Sequence, residues 1–128
     1  MGAQPLSCPF FLAVGLRTEP DESDAELRAF ADFYDSVHLG EVVDLNDGFV
    51  SAARYELAEP AAGVPYWLAL YGIDGEDSAR RFLARLRGPA ERRAVYSAGP
   101  PAWRRAGVVW RMIWQNAGAV GVEDLDPG

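Results

Sequence analysis

Apolar and polar positions change period several times along this chain, and each change marks an element. "PFFLAVGLRT" (9–18) is a continuous apolar run rich in strand formers, ended by "EPDES". It reads as a strand covered on both faces. "SDAELRAFADFYDSVHLGEVVDL" (23–45) switches to helical spacing. Leu27, Phe30, Ala31, Tyr34, Val37, His38 and Glu41 fall on one face at the 3.6-residue period. Ser23 and Glu26 form a capping-box pattern, and acids crowd the first turn, where the helix dipole favours them. "NDG" (46–48) predicts a turn. Strands follow at 49–58 and 64–73, joined by "EPAAG" in an antiparallel hairpin. The spacing predicts a second helix over 74–88, with Ala79, Phe82, Leu83 and Leu86 inward and Arg80, Arg81, Arg85 and Arg87 outward. Gly88 and Pro89 stop it. "AERRAVYSAGPP" suggests a short extra helical turn, and "AGVVWRMIWQ" (106–115) is the last strand. Residues 117–128 read as an acidic, Gly-rich tail.

The order is β-α-β-β-α-β. This predicts a single α+β domain of the split-βαβ, ferredoxin-like kind: a four-stranded antiparallel sheet with both helices on one face. Two helices cover only one side of such a sheet. A half-solvated sheet alternates apolar and polar residues, yet the first and last strands are apolar on both sides. Phe10, Leu12 and Val14 oppose Phe11 and Ala13; Val108, Trp110, Met112 and Trp114 oppose Val109 and Ile113. The bare face needs a cover, and a second copy of the chain is the simplest one. A face-to-face homodimer is therefore expected.

Composition narrows the chemistry. The formal charge is −7, which argues against a nucleic-acid partner. All twelve basic residues are arginine, so lysine Schiff-base and P-loop chemistry have no residue to work with. One cysteine, Cys8, allows neither an intrachain disulfide nor a cysteine zinc cluster, and one histidine cannot make a zinc triad. No metal and no cofactor is expected. No stretch approaches the roughly 20 apolar residues of a membrane span, and the N-terminal apolar run lacks signal-peptide features. A cytoplasmic protein with no membrane partner is expected. The Arg-only, Ala-rich composition looks like that of a high-GC bacterial chain.

The candidate chemistry centres on His38, the only side chain able to exchange a proton near neutrality. Tyr34 lies one turn earlier on the same face, where its hydroxyl could donate to a carbonyl or enolate oxygen. The competing reading is a core His–Tyr pair satisfied by backbone groups. Asp35 points partly away, and Glu41 is either a second proton carrier or a solvated helix-end carboxylate. Arg54 and Arg111 sit mid-strand and need partners, either a ligand oxygen or, as favoured here, an ion pair. Phe30, Trp67, Tyr71, Trp110 and Trp114 are candidate pocket aromatics. Trp110 and Trp114 share one strand face, either to clamp a flat ligand or to pack a core or dimer. The arginines of 80–93 read as a solvated helix face.

"FYDSVHLGEVVDLNDGFVSAARYEL" resembles the EthD-like members of the dimeric α+β barrel superfamily. Their first helix typically reads W/F-Y-D-x-x-H-x-P and runs into a Pro-Gly-Phe turn. Phe33, Tyr34, Asp35 and His38 match; Gly40 stands in place of the proline, and Asp47-Gly48 in place of Pro-Gly. "YWLALYGIDGEDSARRFL" is similar to the family's third strand and second helix, and the likeness spans roughly residues 10–115. The resemblance implies a dimeric α+β barrel with a pocket between sheet and helices, reached by His38. It further implies a cofactor-independent cyclase, isomerase or dehydratase acting on a small hydrophobic, polyketide-like carbonyl substrate in secondary metabolism. A haem-binding or cofactor-free monooxygenase and a non-catalytic dimeric binding protein are the alternatives.

Overall fold

The computed structural model describes residues 4–59 and 66–118. The hairpin connection at 60–65 and most of the expected acidic tail lie outside the described residues. Strands β1 (Phe10–Arg17), β2 (Phe49–Glu56), β3 (Trp67–Ile73) and β4 (Gly107–Gln115) form one sheet in the order β2-β3-β1-β4. Every neighbouring pair is antiparallel. Between β1 and β2 the chain is helical, as α1 (Asp24–Phe33), a π-helical turn (Tyr34–His38) and α2 (Leu39–Leu45). Helix α3 (Glu76–Arg87) follows β3, and a short helix α4 (Pro101–Arg105) precedes β4. Among the described residues, no helix is long and apolar enough to cross a membrane.

Local chemistry sets the boundaries. Ser23 Oγ accepts the Glu26 amide at 3.1 Å and Glu26 returns a carboxylate to the Ser23 amide, so the capping box forms as expected. Gly48 takes a positive φ of 83° in the turn into β2, and a Cβ there would strike Ser78 and Asp74. Proline at the first position starts α4.

Cross-strand register sorts the sheet into two faces. Leu12 stands between Tyr71 and Ile113, and Val14 between Ala69 and Arg111. This face packs under the helices; Leu12, Leu16, Phe30, Tyr34, Phe49 and Tyr71 are among its buried core. On the other face Phe11 pairs with Gly72 and Trp114, and Ala13 with Leu70 and Met112. The register shifts between Gly15 and Leu16, which pair with Trp110 and Val108. Val109 is the extra residue of this bulge. Val108 therefore turns to the helix side with Arg111 and Ile113, which corrects the simple alternation that grouped it with Trp110.

The outer face is only partly covered. The segment Pro5–Cys8 closes over Gly72, where a Cβ would collide with Cys8 and Ser51. Beyond it Met112 is 43% and Trp114 48% exposed, with Val50, Tyr55 and Val109 also open to solvent.

The helix expected over 23–45 is helical throughout but not one α-helix. Its middle is a π turn in which the Leu39 amide reaches the Tyr34 carbonyl. The buried positions are Phe30, Tyr34 and Val42, then Asn46, with His38 between them. Their spacing is four, longer than the helical period, and the surplus residue of the π turn takes up the drift. Val42, not Glu41, consequently faces inward.

Candidate functional site

A cavity of about 270 Å³ lies between the helix-side face of the sheet and the elements around it. Leu12, Val14 and Leu16 of β1, Tyr71 of β3, and Val108 and Arg111 of β4 form its floor. One wall is the helical run, through Tyr34, His38 and Val42. Phe82, Arg85 and Leu86 of α3 form another. The segment from Arg93 to Tyr96, together with Trp103 of α4, closes the remainder. The volume is near the lower end of small-molecule sites, about 300 Å³ upward.

His38 sits in an aromatic cage. Its ring centroid lies 4.5 Å from Trp103, 5.2 Å from Tyr96, 5.8 Å from Tyr34 and 6.4 Å from Phe33. Phe33 and His38 are five residues apart and nearly parallel, a stacking that the π turn brings about. Nδ1 of His38 is buried and has no hydrogen-bond partner among the described residues. Among the described residues no backbone group satisfies this nitrogen. Burial pushes His38 down to about 4, against a small opposing pull from Glu41. At neutral pH the imidazole is uncharged.

Tyr34 and Tyr71 are fully buried beside it. Burial drives both phenols well above the usual value, so both keep their hydrogens at neutral pH.

Two polar anchors fix the residues around the cage. Asn46 is buried at the end of α2 and uses both ends of its amide. Its Nδ2 donates to the Val42 carbonyl at 2.8 Å and to the Tyr96 hydroxyl at 3.0 Å, and its Oδ1 accepts from Arg85 at 3.1 Å. Glu41 accepts from the Ser97 amide at 3.0 Å and the Ser97 hydroxyl at 2.7 Å. These bonds hold its carboxyl below the usual range. Glu41 therefore anchors the loop that carries Tyr96; it is not positioned as a second proton carrier.

The other candidates separate. Asp35 points outward and receives Arg54 at 2.7 and 3.0 Å, and Arg54 also reaches Glu56 at 2.7 Å. Arg54 is committed to these carboxylates while its guanidinium covers the rings of Tyr34 and Trp67. Phe30 is core beneath the cage, 4.7 Å from Trp67 and 5.3 Å from Trp103, and does not line the cavity. Trp67 is likewise packing, its Nε1 donating to Thr18 Oγ1 at 3.2 Å. Trp110 and Trp114 were expected in the pocket; they project from the opposite face of the sheet, because the register aligns them with Gly15 and Phe11. Arg85 was expected in solvent, yet it turns into the cavity wall.

Sequence reasoning passed over Asn46 and Tyr96 and did not place Trp103 in the pocket. In the structure Gly99 packs against Trp103, where a Cβ would strike the indole. Among the described residues no three His, Cys, Asp or Glu side chains gather as a metal-holding set. No protein-family model, curated protein or solved structure matches the chain.

Proposed function

We propose that the protein is a cofactor-independent acid–base enzyme acting on a small aromatic carbonyl compound. The carrying observation is the uncharged imidazole of His38, with an unpartnered nitrogen, set in the wall of an aromatic cavity beside a protonated tyrosine. His38 takes a proton from the carbon next to the substrate carbonyl. The Tyr34 hydroxyl donates to the oxygen as it becomes an enolate. Negative charge developing next to the ring favours the imidazolium, which strengthens His38 as a base at the moment of transfer. The imidazolium then returns its proton to a different atom, giving isomerisation, or to a leaving hydroxyl, giving dehydration. Attack of the enolate on a second carbonyl gives cyclisation. Trp103, Tyr96 and Leu12 keep water from the enolate.

The same reading covers the assembly. Element order and the strand order β2-β3-β1-β4 support a ferredoxin-like protomer. The apolar outer face supports pairing of two sheets into a dimeric α+β barrel, which the EthD-like resemblance of the first helix also implies.

The direct test is hydrogen–deuterium exchange at the α-carbon of an aromatic ketone such as 1-tetralone in D2O, followed by NMR. The protein should accelerate exchange. His38→Gln should remove about 10²–10⁴-fold of it, and Tyr34→Phe about 10²-fold. Full exchange with His38→Gln, or none with the unaltered chain, would end this reading.

A further inference from the structure

The charge of the cavity is opposite to that of the chain. The sequence carries nineteen acidic residues against twelve arginines. Yet Arg85, Arg93 and Arg111 all line the cavity, and among its described lining there is no Asp or Glu. Of the carboxylates nearby, Glu41 is bonded to Ser97 and Asp35 to Arg54. Among the described residues none of the three arginines pairs with an acid; the ion pairs involve Arg54, Arg80 and Arg105 instead. Arg85 meets the neutral amide of Asn46, and Arg93 donates to the Leu86 carbonyl at 2.7 Å. Each keeps further N–H groups, since a guanidinium has five.

Arg111 is the informative member. It stands opposite Val14 on the helix-side face, between the apolar Val108 and Ile113 of its own strand. Its charge is felt by the buried Tyr71 hydroxyl. A cationic concavity on an acidic protein concentrates anions locally, and its low-dielectric walls focus that field.

We infer that the cavity takes an aromatic acid, its carboxylate meeting Arg111, Arg85 and Arg93 and its ring system lying against Trp103 and Tyr96. This deepens the proposed function by naming the substrate class for the same cavity, but it stands on binding alone. A carboxylate pairs with the planar guanidinium fork in a way a carboxamide cannot. The cavity's size points to a one- or two-ring compound. Held by its acid end, such a ligand presents the opposite part of its ring system to His38 and Tyr34.

The experiment compares 2-naphthoate with 2-naphthamide, equal in shape and different in charge, by isothermal titration calorimetry at low and high salt. The full chain should bind naphthoate at least tenfold tighter, with the preference shrinking as salt rises. Arg111→Gln should bring the two ligands within about threefold, and Arg111→Lys should restore part of the difference. Arg93→Gln, on the exposed loop, gives a second reduction of the same charge away from the sheet and should lower the preference in the same direction. Equal binding of the two ligands overturns the inference. So does a preference that survives both Arg→Gln changes, which would mean that Arg111 only solvates the edge of the sheet. The readout is affinity, not turnover, so a failure of ketone exchange leaves this result standing, and the reverse holds as well.

Discussion

At the scale of the residue, His38 carries two costs. Its Nδ1 is buried without a partner among the described residues, and its burial disfavours the charged form. An orphaned buried polar atom costs about 1–3 kcal/mol. His38→Phe, which fills the cage without the nitrogens, should therefore raise unfolding free energy by about 1 kcal/mol while abolishing exchange chemistry; urea denaturation measures the first. The pH dependence has a defined sign. Folded His38 takes its proton near 4, against 6.5 ordinarily, so between those values the unfolded chain holds more protons. Stability rises with pH through that window and is lost as pH falls toward 4. Thermal melts from pH 4 to 7 should show this slope in the unaltered chain and a shallower one in His38→Phe. The partnership of His38 with Tyr34 was legible in the sequence because it depends on a spacing of four within one helix. Asn46, Tyr96 and Trp103 were not legible, since their place in the site depends on where a long, irregular connection returns.

The informative element is the π turn. Positions 30, 34, 38, 42 and 46 recur every four residues. In a regular α-helix each step of four overshoots one turn by about 40°, so the row would drift by about 160° around the axis. One inserted residue absorbs much of that drift and keeps Phe30, Tyr34, His38 and Val42 on the cavity side. The constant spacing of four was present in the sequence, but a 3.6-residue template also matched Val37 and Glu41 and concealed it. Ser36 is exposed within the π turn. Its deletion should return the turn to α geometry, leave α1 and α2 on their faces, and keep the melting temperature unchanged or higher. Phe33 and His38 would become i,i+4 neighbours on one helix face, so the stack and ketone exchange should persist. Circular dichroism and the NMR exchange assay read the two outcomes separately.

At the scale of the molecule, the sheet has one face that the helices bury and one that is apolar yet open. Met112 and Trp114 project from the open face close to half exposed, an arrangement that a lone soluble domain rarely sustains. The proposed sheet-to-sheet homodimer should sediment at twice the 14.0 kDa chain mass at micromolar concentration. Trp114→Glu should shift it to the single-chain mass without loss of helix signal. A single-chain mass for the unaltered protein would remove the dimer proposal.

Local pattern determined much of this. Hydrophobic period, capping and turn residues specified four strands, the two main helical segments and the turn at Asn46–Gly48, because those features depend on neighbours a few residues away. The lack of alternation in β1 and β4 likewise encodes a second apolar face, since it is a property of consecutive residues. Tertiary structure alone decided which face each strand residue took, since one bulge at Gly15 reverses Val108 relative to Trp110. It also decided that Arg85 turns inward, that Glu41 holds Ser97, and that Tyr96 and Trp103 close around His38. Those outcomes join residues up to 65 positions apart, from His38 to Trp103, and contacts at such separation follow from how the whole chain packs, not from any stretch of it.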